Sequence, residues 1–263
     1  MTLATDLPSR LNRAKLLLPA FATACALALL LGLGTWQWNR KAWKEELVAT
    51  ISARSAAAPL DAAACAKRRC EGVEKAGLAK SCDYTSVRLS GTFDLTNERY
   101  IYTGIDKPPG GVGGQGFWIM TPFRIAESGQ TIAVNRGFVP EARKDPASRP
   151  QGQPAGEIAF TGLIRSSEPR ATFTGSNDRA RNIWFIRNPN ELFPFSQEPK
   201  VDRPELYVEL LKPAPPGGLP QPTAGRINIP NRHLEYALTW WGLAATLLAV
   251  FWAFASGRLR DDQ

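Results

Sequence analysis

Two stretches decide how this chain is organised: residues 16–38, LLLPAFATACALALLLGLGTWQW, and residues 234–254, LEYALTWWGLAATLLAVFWAF. The first contains no ionised side chain, and Glu235 is the only one in the second. A hydrocarbon core about 30 Å thick is crossed by about 20 apolar residues at 1.5 Å each, so both runs predict transmembrane helices. A charge at mid-membrane costs roughly 2.5–3.5 kcal/mol. Glu235 stands one residue from the start of its run, where headgroups or water are within reach. A cleavable signal is the rival for the first run, with Ala24-Cys25-Ala26 as its cleavage site. That tripeptide lies in mid-run with apolar residues continuing to Leu33, so an anchor is the better reading.

Working outward, Arg10, Arg13 and Lys15 precede the first run, and Arg258 and Arg260 follow the second. Short basic flanks stay in the cytoplasm, whereas long loops translocate largely regardless of charge. The expected layout is a cytoplasmic tail (1–15), helix (16–38), an extracytoplasmic domain (39–232), helix (234–254) and a second cytoplasmic tail (255–263). This places the protein in a bacterial inner membrane with its main domain in the periplasm. Trp36, Trp38 and Trp43 fall at one interface, and Tyr236, Trp240 and Trp241 where the chain re-enters, as aromatic belts do. No Arg/Ser-rich transit peptide is expected ahead of the first helix.

The 263 residues leave room for one sizeable domain between the anchors. Residues 40–53 extend the first helix with Trp43, Leu47 and Ile51 at spacings of four. Residues 55–83 read as an irregular excursion. From residue 84 the pattern becomes short β-rich segments, with strands expected at 87–93, 99–105, 116–125, 131–139, 157–165, 183–187 and 205–211. Ile132, Val134 and Arg136 alternate with Ala133, Asn135 and Gly137. The expected fold class is therefore α+β: two transmembrane helices flanking an antiparallel sheet, strongly curved or barrel-like. One short helix is expected at 189–195, capped by Asn188 or Asn190. Residues 212–225, KPAPPGGLPQPTAG, read as a stiff connector back to the membrane.

The chemical inventory is short. The net charge of +8 is dispersed among acids and sits outside the cytoplasm, which suits anionic lipid or an acidic partner and not nucleic acid. Cys65, Cys70 and Cys82 have the spacing C-x4-C-x11-C, which fits no common zinc pattern; one disulfide closing a loop is preferred. The glycine run 110–116, GGVGGQG, lacks the Lys-Ser/Thr of a phosphate loop and leads into a strand. With His233 as the one histidine and Met1 and Met120 as the only methionines, a multi-histidine or Met-rich copper site is excluded within one chain. A Ser-His-Asp triad would have to be built beside the membrane at His233, and no G-x-S-x-G elbow supplies its nucleophile; a periplasmic enzyme with an acid or Ser/Lys site is the rival to a non-catalytic reading. Helical spacing puts His233, Tyr236, Ala237 and Trp240 on one face. An imidazole with an aromatic wall at the membrane surface suits a haem iron, with Arg226 or Arg232 for propionates. An interfacial histidine bonded to headgroups or water explains the same spacing.

A set of motifs then falls into order: Leu33-Gly34-Thr35-Trp36-Gln37 with Arg40 and Lys44, Gly91-Thr92-Phe93-Asp94, Thr121-Pro122-Phe123, Asn135-Arg136-Gly137-Phe138-Val139-Pro140, and residues 231–243. Across nearly the whole chain this set resembles the Surfeit locus protein 1 family, assembly factors for cytochrome c oxidase. The resemblance implies a non-catalytic role in building subunit I of a haem–copper oxidase, alongside the haem a synthase. It implies that haem a is carried as transient cargo, with the histidine of the second helix, here His233, as axial ligand. A scaffold for oxidase subunits that binds no haem is the alternative. The cysteine-bearing stretch 61–82 departs from the family pattern.

Overall fold

The computed structural model describes residues 6–61, 82–107, 111–194, 199–222 and 231–260. Two compact units result: Met1–Ala49 with Asn228–Gln263, and Thr50–Ile227.

The first unit is a pair of helices, α1 (Asp6–Ala56) and the chain's last helix, α3 (His233–Arg260). Leu- and Ala-rich composition favours helix throughout α1, and the chain stays helical past Pro19. The stretches Leu16–Ala56 and His233–Arg258 are long and apolar enough to cross a membrane. Thr35, Thr239 and Thr246 donate their hydroxyls to the carbonyls four residues earlier. These polar atoms are thereby satisfied within the helix, without water. On α3 the packed side carries His233, Ala237, Trp240, Trp241 and Ala244, while Leu234, Leu238, Leu248 and Trp252 face outward. The facing side of α1 recurs at Leu30, Leu33, Gly34, Gln37 and Lys41, the three-to-four spacing of a helix seam.

The second unit holds seven strands: β1 (Ser86–Phe93), β2 (Arg99–Ile105), β3 (Gly114–Ile125), β4 (Thr131–Pro140), β5 (Ile158–Ser166), β6 (Ile183–Trp184) and β7 (Leu206–Lys212). The sheet order is β1-β5-β7-β4-β3-β2-β6, and β1 pairs with β3 as well. Pairing thus runs from β1 through β5, β7, β4 and β3 back to β1. Gly91 is where β1 changes partner, since its registers are Gly91↔Ile158 on β5 and Gly91↔Ile125 on β3. At φ 155° a Cβ there would sit 1.9 Å from the Arg124 carbonyl oxygen, so only glycine permits this junction. Phe93, two residues on, packs with Phe123 (4.8 Å between centroids) and Phe160 (6.0 Å). Asp94 then caps a 3-10 turn at Leu95–Asn97, accepting from the Thr96 N–H.

The strand expectations hold to within two residues for six of the seven, and two details are corrected. The sheet is mixed, because β4 pairs with β7 and β2 with β6 in parallel. Period-two alternation marks which face a side chain takes but carries no information on a neighbour's direction. The segment expected at 183–187 keeps only Ile183 and Trp184 in the sheet. The short helix, α2 (Pro189–Leu192), is capped by the Asn188 side chain as expected and stops early. Phe193 precedes Pro194, whose ring disfavours helical backbone before it. A core of Val87, Leu89, Phe123, Val134, Phe160, Ile164 and Val208 fills one side of the strands; Ile101, Met120, Ala133, Trp184 and Tyr207 fill another. Cys82 is disulfide-bonded while Cys25 is free and exposed, so its partner, Cys65 or Cys70, falls outside the described residues.

Residues 212–222 prove to be more than a connector. Gln221 exchanges two backbone hydrogen bonds with Phe138 (2.8 and 2.7 Å), and its side-chain oxygen accepts from Val112 N–H at 2.9 Å. The glycine run before β3 is thereby tied down at Val112. The remainder of the stretch, 223–225, lies outside the described residues.

Candidate functional site

His233 is the first residue of α3, where the chain turns from the loop into the apolar helix. Its Nδ1 lies 2.6 Å from Oε1 of Gln37 on α1. An amide oxygen only accepts, so it is the Nδ1–H tautomer of the imidazole that can donate across this contact, with its lone pair on Nε2. The approach of the helices rests on small residues. Ala237 and Ala244 are buried, and a Cβ on Gly34 would fall 2.3 Å from Nε1 of Trp241. Trp241 in turn lies 6.0 Å from Trp38, ring centre to ring centre. Arg40 stacks its guanidinium 4.0 Å from the Trp43 ring.

The other residues singled out in the sequence are distributed unevenly. Trp240 is half-buried on the packed side, Tyr236 is exposed on the outer side, and Arg232 is exposed just before the helix. Arg226 lies outside the described residues. Gln37 is the partner that sequence reasoning missed. It sat inside the quoted motif Leu33–Gln37, and its separation of 196 residues from His233 hid the contact.

Among the described residues the sheet domain contains one buried ionic network and a second, partly buried one, both of which sequence reasoning also missed. In the first, Glu98 accepts from Arg136 at 2.6 Å, Arg149 at 2.5 Å and the Tyr100 hydroxyl at 3.1 Å. All three charged side chains are at most 3% exposed. Arg136 also donates to the Gly152 carbonyl, and Arg149 to the Arg143 carbonyl. Burial pushes the Arg136 guanidinium down to about 10 against the pull of Glu98, and burial with Glu98 beside it pushes the Tyr100 hydroxyl up to about 12. The flanking residues serve the same corner: Asn135 Oδ1 accepts from Gly137 N–H, and Gly137, at φ 129°, lies against Gln221. In the second network Arg187 binds Glu209 at 2.7 Å and Glu168, and stacks 4.0 Å from the Trp118 ring. Burial lowers the Arg187 value, but Tyr207, Glu168 and Glu209 outweigh it and leave it raised.

An apolar cleft of about 130 Å³ lies beside Arg136, walled by Phe93, Phe160, Pro213 and Pro220. Among the described residues, its one ionisable lining group is Arg136, already committed to Glu98. Among the described residues, no cluster of three or more His, Cys, Asp or Glu side chains is arranged to hold a metal ion.

Fold and site together define a sheet-rich domain carried between two long apolar helices, with a single oriented histidine at the start of the second. The chain belongs to the SURF1 family, whose profile matches residues 24–245. A SURF1-like protein of Monosiga brevicollis is 35% identical over 233 residues, covering 85% of this chain and 82% of that one. Surfeit locus protein 1 of Rattus norvegicus is 32% identical, covering 81% of this chain and 68% of its own. The protein of that name from Homo sapiens is 32% identical, with 81% and 70% covered.

Proposed function

We propose that this protein is an assembly factor for cytochrome c oxidase, anchored in the membrane by α1 and α3, that holds haem a at His233 for insertion into subunit I. Membership of the SURF1 family supports the assembly role. The observation that carries the haem reading is the Gln37–His233 contact, which leaves Nε2 free as a donor at the membrane-entry end of α3. The donor set fits a transient cargo. One imidazole with an exposed aromatic neighbour, Tyr236, holds the iron without enclosing the ring, so release remains easy. The farnesyl tail of haem a favours lipid, its propionates favour the charged surface near Arg232, and a ligand at a helix end satisfies both.

In this reading the protein sits in a bacterial inner membrane, both termini cytoplasmic and the sheet domain periplasmic. The run of strand pairings from β1 back to β1 supports a barrel-like reading of that domain, whose role is contact with subunit I and the haem a synthase, not catalysis. The test is to express the protein with the haem a pathway, purify it and record its absorption spectrum, beside His233→Ala. A haem a signal present in the wild type and lost in the variant is expected. A variant that keeps the full signal sinks the ligand assignment, and a pigment-free wild type that still restores the oxidase makes the protein a scaffold.

A further inference from the structure

We propose that Gln37 is the positioning residue for His233: it holds the imidazole in the Nδ1–H tautomer and so makes Nε2 the atom that meets a ligand. The assignment of haem a as that ligand rests on the function proposed above, whereas the tautomer does not.

The two ring nitrogens of a histidine are distinguished by the hydrogen bond that one of them makes. Here the Nδ1···Oε1 separation of 2.6 Å is just below the usual range for N–H···O, about 2.7–3.2 Å, and the acceptor is an amide oxygen that has no proton to give. His233 is half-buried at the start of an apolar helix, where a donor left unpaired is penalised. Gln37 removes that penalty for one tautomer only. Metal-ligating imidazoles characteristically donate their second N–H to such a partner, which sets ring orientation and donor strength.

The helix pairing explains why the contact forms. Gly34, one turn before Gln37, lets the Trp241 indole approach closer than any side chain would allow. Buried Ala237 stands one turn after His233 on the same seam. With the two backbones brought this near, the reach of a glutamine side chain meets the imidazole. The motif that ends at Gln37 therefore serves the second helix through two residues, one giving space and the other giving the acceptor.

The chain has one histidine, so full-length protein labelled with 15N-histidine, haem-free in lipid nanodiscs, gives a single pair of ring-nitrogen resonances. The expected result is a protonated Nδ1 and an unprotonated Nε2. In Gln37→Leu that preference is lost, and in Gln37→Glu, which keeps an acceptor, it persists. Circular dichroism unchanged in both variants shows that the fold is intact. A wild type protonated on Nε2, or a Gln37→Leu spectrum identical to wild type, overturns the proposal. In protein loaded with haem a, Gln37→Leu should weaken retention by about 10–100-fold, the usual cost of losing a ligand's hydrogen-bond partner, with Gln37→Glu restoring it. Equal retention by wild type and Gln37→Leu also overturns it. If the wild type retains no haem a, the proposed cargo fails, and the nitrogen spectra still decide the role of Gln37.

Discussion

Replacing Glu98 by Gln tests whether the buried Arg136–Glu98–Arg149 cluster holds the sheet domain together. The substitution keeps the shape of the side chain and one acceptor oxygen but removes the only negative charge facing two guanidinium groups that are 3% and 1% exposed. Of the two ion-pair hydrogen bonds, of 2.6 and 2.5 Å, one falls to a bond onto a neutral amide oxygen and the other loses its acceptor. At about 1.5–3 kcal/mol for each such bond the loss is roughly 3–6 kcal/mol. Breaking a buried ion pair by removing one partner costs about 3–5 kcal/mol by direct experience with other proteins, which agrees. For a domain of this size, each kcal/mol moves Tm by about 2–4 °C, so a drop of about 6–24 °C is expected. The assay is thermal unfolding followed by near-UV circular dichroism, which reads the aromatic core. A double-mutant cycle with Arg149→Met isolates the pair, and a coupling above about 1 kcal/mol is expected. A Glu98→Gln protein that melts within about 2 °C of wild type, or a coupling near zero, refutes the claim that this cluster is stabilising.

Gly137→Ala places a Cβ at φ 129° and 2.3 Å from the Gln221 carbonyl oxygen, so it should cost at least about 1–3 kcal/mol and loosen residues around 221, read by Tm and by amide exchange at Phe138; an unchanged Tm contradicts the close approach. Gly34→Leu should separate the helices at Trp241 and shift tryptophan emission, leaving the melting of the sheet domain unaltered. Tyr100 and Tyr207 are both pushed up by burial, Tyr100 to about 12, so the folded protein should show two of its five tyrosines resisting ionisation near pH 10. Because the unfolded chain gives up those protons first, the contribution of these two tyrosines should be constant below about pH 10 and be lost as pH rises from there. Five tyrosinates appearing together near pH 10 would contradict the burial. Glu168 is held below the usual carboxylate range because Arg187 outweighs its burial, so it contributes stability that is lost as pH falls below about 4.5; Glu168→Gln should flatten that acid limb in a pH series of urea unfolding.

The sequence by itself determined the two apolar helices, the strand positions and the candidate histidine. Each depends on information local to a segment: length without charge, alternation of period two, or the scarcity of a residue type. Strand boundaries came out close because turns and prolines mark them locally, as at Gly129–Gln130 before β4 and Pro140 at its end. Tertiary structure decided which strands neighbour which, including the parallel pairings and the return of β1 to β3 at Gly91. It also decided why the quoted motifs are there. Arg136 reads as a strand residue until Glu98, 38 positions away, is brought to it. Gln37 reads as part of an anchor until His233 arrives from 196 positions away. An ion pair or a hydrogen bond depends on distance in space, and nothing in composition or periodicity records which distant residue will supply the partner.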